Sequence, residues 1–229
     1  VWDLNEALDL IKGGNWPNLA NINPAAFVDG VFSTNVWDGG GSTATTVTNN
    51  INLSGQGGLV WIKSRTNPGT GHFHHLVDSE RGQSGGFHKA LYSNGTEAEN
   101  QYPSSSNGGV SSFNSNGFTV SAGSNSNHFL NASSYDYVSW TFRKQPKFFD
   151  IVTWTGDGTS NRTLSHSLGS IPGMIIAKST STTTEWMVWH TAMVDNEFLR
   201  LNTTDAQGGY GSFYEAGIDS STIGVSSTS

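Results

Sequence analysis

The stretch "HFHH", residues 72–75, holds the densest run of metal-ligating side chains in the sequence. On a strand, side chains alternate between faces, so His72 and His74 share one face and His75 takes the other. Two imidazoles at that spacing bind a metal when a third ligand, such as Asp78, approaches them. No second cluster stands at ligand spacing, and the corresponding later stretch offers only His190. Hydrogen-bonded histidines on a polar strand are therefore the default, and no metal or other cofactor is expected. Glycoside hydrolysis needs two carboxylates flanking one bond. Here Asp78, Glu80, Glu97, Glu99, Asp136, Asp150, Asp157 and Glu185 are spread singly. There is no G-x-S-x-G elbow and no phosphate-binding P-loop, so no catalytic residue is expected.

Sugar binding is the stronger chemistry. Eight Trp and six Tyr provide stacking platforms, with Asn and Asp side chains to read hydroxyls. Trp61 and Trp140 alternate with polar neighbours and are expected to face an interior. Trp186 and Trp189 differ by three positions, so they point to opposite faces of a strand and at least one is expected to be exposed. Trp189 and His190, with Arg81 and Tyr102 from loops of the first half, are the ligand-binding candidates.

These side chains sit in a chain of 229 residues with net charge −7, 28 glycines and no cysteine. Few charges, many aromatic and β-branched residues and frequent Gly and Asn turns indicate a β-rich protein with a polar, uncharged surface. Eleven scattered basic residues argue against a nucleic-acid partner. No apolar run approaches the roughly 20 residues of a spanning helix, so membrane insertion is not expected. Val1 is not an initiator Met, and the residues read as an excerpt of a longer chain.

"VWDLNEALDLIKGGNWP" at the start predicts one helix, with Asp3 and Glu6 at capping-box spacing, an apolar stripe of Leu4, Ala7, Leu8 and Ile11, and Gly13-Gly14 as the stop. Its stripe packs either on its copies in a trimer or on the following domain. From residue 27 the pattern becomes short strands between Gly, Asn and Ser clusters. The phrase "LYSNGTEAE" at 91–99 then returns as "LRLNTTDAQ" at 199–207, placing Asn202 108 residues after Asn94, and it suits a recurring turn better than a ligand contact. "VDGVFST" at 28–34 matches "FDIVTWT" at 149–155, "GLVWIKS" at 58–64 matches "GMIIAKS" at 173–179, "HHLVD" at 74–78 matches "WMVWH" at 186–190, and "GFTVSA" at 117–122 matches "TIGVSS" at 222–227. The offset falls steadily along the chain, as loop shortening in a second copy produces.

The sequence therefore reads as a helical connector, 1–26, and two tandem antiparallel β-sandwich units of jelly-roll type, 27–147 and 148–229. Asp29 and Asp150 recur near the unit starts, which suits a turn or cap. The first unit closes with "YDYVSWTF", 135–142, for which the second has no counterpart. Either the chain is cut short or another subunit supplies that strand.

The ordered phrases "LVWIKSR", "LYSNGTEAE", "SSFNSNGFTV" and "YDYVSWTF", followed by "DIVTWTGDGTSNRTLSHSLGSIPGMIIAKS" and "LRLNTTDA", resemble tandem-repeat virion proteins of marine and aquatic bacteriophages, cyanophages among them. The resemblance covers most of residues 27–229 and implies a tail-fibre or tail-associated role in host adhesion, with no catalytic residue carried over. It implies a virion location, self-association, a trimer among the options, contacts with other virion proteins, and a host-surface glycan as ligand. The first copy's inserts "NPGTGHFHH" and "NQYPSSSNGG" depart from the pattern. A carbohydrate-binding module of a secreted or surface protein, and an architectural subunit such as a capsid decoration or filament protomer, are the alternatives.

Overall fold

The computed structural model describes residues 28–66, 73–99, 104–124, 130–193, 197–209 and 217–226. The expected N-terminal helix, His72 and Tyr102 lie outside them. After a single 3-10 turn at Val28–Gly30, the first half carries β1 (Phe32–Asp38), β2 (Thr45–Thr48), a one-turn helix α1 (Leu53–Gln56), β3 (Gly58–Ser64), β4 (His75–Asp78), β5 (Gln83–Ser84), β6 (Phe87–His88), β7 (Ala90–Tyr92), β8 (Gly108–Asn114), β9 (Gly117–Ala122) and β10 (Asp136–Arg143). The second half carries β11 (Arg162–Ser165), β12 (Met174–Ala177), β13 (Met187–His190), β14 (Glu197–Arg200), β15 (Gly208–Gly209) and β16 (Thr222–Val225). The protein is thus mostly β, as its composition predicts.

Every strand pair is antiparallel. One sheet runs β1-β10-β3-β4-β7 and a second runs β2-β9-β8. Period-2 alternation turns Val60 and Ile62 of β3, Val77 of β4 and Tyr92 of β7 inward, where they meet Val47, Val110, Phe118 and Val120 of the other sheet. Burying each such side chain contributes about 1.5–3 kcal/mol relative to leaving it in water. The corner before α1 is tied by side chains. Asn52 caps the helix through Oδ1 and the Gly55 N–H, and Asn49 donates from Nδ2 to Thr141 Oγ1 at 2.8 Å. The β8–β9 turn ends on Gly117, whose φ of +129° and 2.0 Å approach of a virtual Cβ to the Val47 carbonyl admit only glycine.

The closing strand β10 carries a surprise for a reading by polarity. Its buried face is Tyr137, Ser139 and Thr141, while Val138, Trp140 and Phe142 lie half-buried on the other face. Trp61 and Trp140 likewise point away from the main core and meet each other edge to face at 5.9 Å. Asn49 gives the inward Thr141 a partner, whereas the equally buried Ser139 Oγ has none among the described residues. The aromatics instead form a second apolar layer. There Leu59 and Trp61 pack beside Leu76, Leu91 and Trp186, the last from the second half.

In the second half, one sheet runs β12-β13-β14-β15 and β11 pairs with β16. The registers repeat those of the first half. Val60 pairs with Val77 and Trp61 with Leu76; Ile175 pairs with Trp189 and Ile176 with Val188. His75 pairs with Tyr92 and Leu76 with Leu91; Met187 pairs with Arg200 and Val188 with Leu199. Val47 pairs with Phe118, and Leu164 with Ile223. The matched phrases align the residues of β3, β4, β7 and β9 with those of β12, β13, β14 and β16; β2 and β11 lie outside them.

Candidate functional site

The turns that follow β7 and β14 meet, and a concavity opens where they do. Trp61 projects outward from the middle of β3, His74 precedes β4, and Ser93 and Asn94 follow β7. Leu201, Asn202, Thr203 and Thr204 follow β14. Together these eight residues line a cleft of about 420 Å³ between the two halves.

Local chemistry explains why each turn has its shape. Asn94 Oδ1 accepts from the His74 N–H at 2.8 Å, and the Ser93 N–H donates to the His74 carbonyl at 3.0 Å. Asn202 Oδ1 accepts from the Trp186 N–H at 3.0 Å, and the Leu201 N–H donates to the Trp186 carbonyl at 3.2 Å. In each copy, an Asn side chain closes the loop leaving one strand onto the residue that opens the strand beside it. Oδ1 is engaged in this way, and both asparagines line the cleft.

Trp186 holds the halves together. It is 4% exposed, sits against Leu76 and Leu91, and donates from Nε1 to the Tyr92 carbonyl at 2.8 Å and the Gly95 carbonyl at 3.2 Å. The Glu99 N–H donates to the Thr180 carbonyl and the Thr184 N–H to the Thr96 carbonyl. The cleft floor is thus fixed by backbone bonds and one indole rather than by ion pairs. Among the described residues the lining carries no carboxylate. His74 is held below its ordinary value, first by burial and then by the Lys63 ammonium, which favours the neutral imidazole. An uncharged cleft with an indole wall, amide donors and hydroxyls suits a neutral polyhydroxylated ligand.

The residues singled out from sequence are dispersed. Arg81 has a side chain 7% exposed and binds the Asp78 carboxylate through Nε, the Leu76 carbonyl through Nη2, and Glu99 at 3.5 Å. Asp78 also accepts from the Glu80 and Arg81 N–H groups, so its carboxylate closes the turn after β4. His74 lies at the opposite end of that strand and lines the cleft. Among the described residues no three His, Asp or Glu side chains gather as a metal-binding set. Trp189 is half-buried on β13, paired with Ile175. His190 is exposed, and its Nδ1 accepts from the Ala192 N–H at 3.0 Å. Asp150 accepts from the Ile151 and Ser167 N–H groups, which is turn-closing chemistry. Asn131 is buried, with bonds to Gly40, Gly41, Thr43 and Thr45.

Sequence reasoning read the Asn94 and Asn202 phrases as turn-formers and missed that the two turns face one another. The available signal was the repetition itself, an Asn immediately past corresponding strand ends. Their meeting depends on how the halves pack.

A family model described as "Domain of unknown function (DUF7483)" matches residues 29–229. No curated protein and no solved structure matches the chain.

Proposed function

The chain belongs to the DUF7483 family, whose description assigns no function, and we propose that it is a non-enzymatic, tail-fibre-like virion surface protein that attaches to host glycans. The observation that carries the ligand class is the uncharged cleft, with Trp61 as a stacking wall and the Asn94 and Asn202 amides as hydroxyl readers. Two tandem jelly-roll units are the architecture in this reading, and the repeated registers support it. The virion setting rests on the ordered phrases that resemble phage repeats. Trimeric self-association and contacts with other virion proteins belong to the same proposal, because many weak sugar contacts sum through multivalency.

The architectural alternative draws on one observation, the exposed apolar side chains Met174, Ile176 and Leu199 on the second half. A glycan array probed with the whole chain, together with labelling of aquatic bacterial cells, separates the two. Binding to a restricted set of neutral glycans is expected, with at least a tenfold loss in Asn94→Asp and Asn202→Asp. Those substitutions keep an oxygen for the backbone N–H, remove the amide donors and place a carboxylate in the uncharged lining. Equal binding by the Asp variants, or no glycan and no cell bound, overturns the adhesion reading. Release of a cleaved glycan overturns its non-enzymatic part.

A further inference from the structure

In the first half, β3 has a neighbour on each side: β4 on one edge and the closing strand β10 on the other, with β1 beyond it. In the second half, β12 matches β3 and β13 matches β4 residue for residue. Among the described residues nothing pairs with the other edge of β12. Residues 153–159, which correspond to β1 through the Asp29–Asp150 match, have no strand pairing.

We propose that this edge is a binding site for an extended peptide segment of β10 chemistry, added antiparallel to β12. The register follows from the first half, where Phe142 lies opposite Leu59, Trp140 opposite Trp61 and Tyr137 opposite Ser64. Transferred to the second half, positions equivalent to Phe142, Trp140 and Tyr137 fall opposite Met174, Ile176 and Ser179. The incoming strand has Tyr or small polar residues on the inward face and apolar residues on the outward face. Its backbone pairs with the open edge, and its alternate side chains set specificity.

The outward pattern accounts for what β12 exposes. Leu59 and Trp61 are half-buried beside Phe142 and Trp140, whereas their counterparts Met174 and Ile176 are 57% and 38% exposed. An outward aromatic at the Trp140 and Phe142 positions would cover both. This inference stands on the paired registers and not on the glycan reading, so either can fail alone.

The test uses the whole chain and the synthetic decapeptide YDYVSWTFRK, its own residues 135–144, with amide hydrogen exchange as readout. The expected result is saturable binding, with exchange at Met174 and Ile176, whose N–H groups point away from β13, slowed at least tenfold and exchange across β3 unchanged. Ile176→Asp in the chain, or serine at the three outward apolar positions of the peptide, is expected to abolish that slowing. No slowing at β12, slowing confined to β3, or β12 amides already as protected as those of β3 without peptide each overturns the site. Concentration-dependent protection of β12 without peptide overturns the choice of occupant and assigns the site to a second copy of the chain.

Discussion

Val47, Phe118 and Val120 of the first half are closed off from water, and their register partners in the second half are Leu164, Ile223 and Val225. Leu164 and Val225 are also buried, but Ile223 keeps part of its surface in solvent. The contrast is sharper on the outward faces. Leu91 is buried under Trp186, while its counterpart Leu199 is 40% exposed. Two halves with the same strand pairing therefore differ in how much apolar surface they remove from water. Register is a local matter of backbone hydrogen bonds and turn length, whereas closure of a core requires every bounding strand and a cover for each face. In the first half β10 bounds the sheet interior and the second half's Trp186 covers part of the outer face.

The largest expected effect would break or uphold this contrast directly. Phe118→Ala should destabilise the first half by about 3–5 kcal/mol, because it opens a cavity in a closed core. Ile223→Ala should cost about 1–2 kcal/mol, since its site is already partly hydrated. Urea unfolding followed by residue-resolved hydrogen exchange measures both. Similar losses at the two positions would mean that the second half closes its core as fully as the first.

A second pair of substitutions probes what the halves share. Asn94→Ala and Asn202→Ala each remove the acceptor of one backbone N–H and should cost about 1–2 kcal/mol apiece. Near-equal losses in thermal unfolding would sharpen the equivalence of the two turns. A loss at only one of them would show that the turns do different jobs despite matching geometry.

The smallest effect concerns alkaline pH and belongs to the first half alone. Burial pushes the Tyr137 phenol up to about 12, against a bond from the Ala132 N–H that lowers it and a smaller upward push from Tyr135. The fold therefore holds this phenol neutral. Stability is unaffected while both states keep the proton, and it falls once the unfolded chain ionises above its ordinary value of 10.0, until the folded value is reached. Melting temperature should decline in that window. Tyr137→Phe should flatten the decline while losing a fraction of stability at neutral pH, since the Ala132 N–H then lacks its acceptor. An unchanged alkaline decline in the Phe variant would place its origin elsewhere.

The β-rich class was legible from composition and from Gly and Asn punctuation, and the repeated phrases aligned four strands of the second half with their counterparts. The faces of β10 were not legible. Val138, Trp140 and Phe142 look like an inward set, yet Ser139 and Thr141 face the main core, where Asn49 offers Thr141 a partner. Alternation says that two faces differ. It does not say which neighbours each face will find. Arg81 illustrates the same limit at the level of sites, because its loop position looked accessible and its guanidinium is buried between Asp78 and Glu99.

What the sequence by itself determined is therefore the β-rich class, the turn-forming role of Asn94 and Asn202, and the correspondence between the halves. Each depends on period, turn chemistry or repetition, which operate over a few residues or between matching phrases. The tertiary structure alone decided that those two asparagines share one cleft, that Trp186 seals the outer face of the first sheet, and that β12 presents an open edge among the described residues. These depend on which surfaces come together after the strands have formed, and burial and hydrogen-bond satisfaction settle that jointly across the chain.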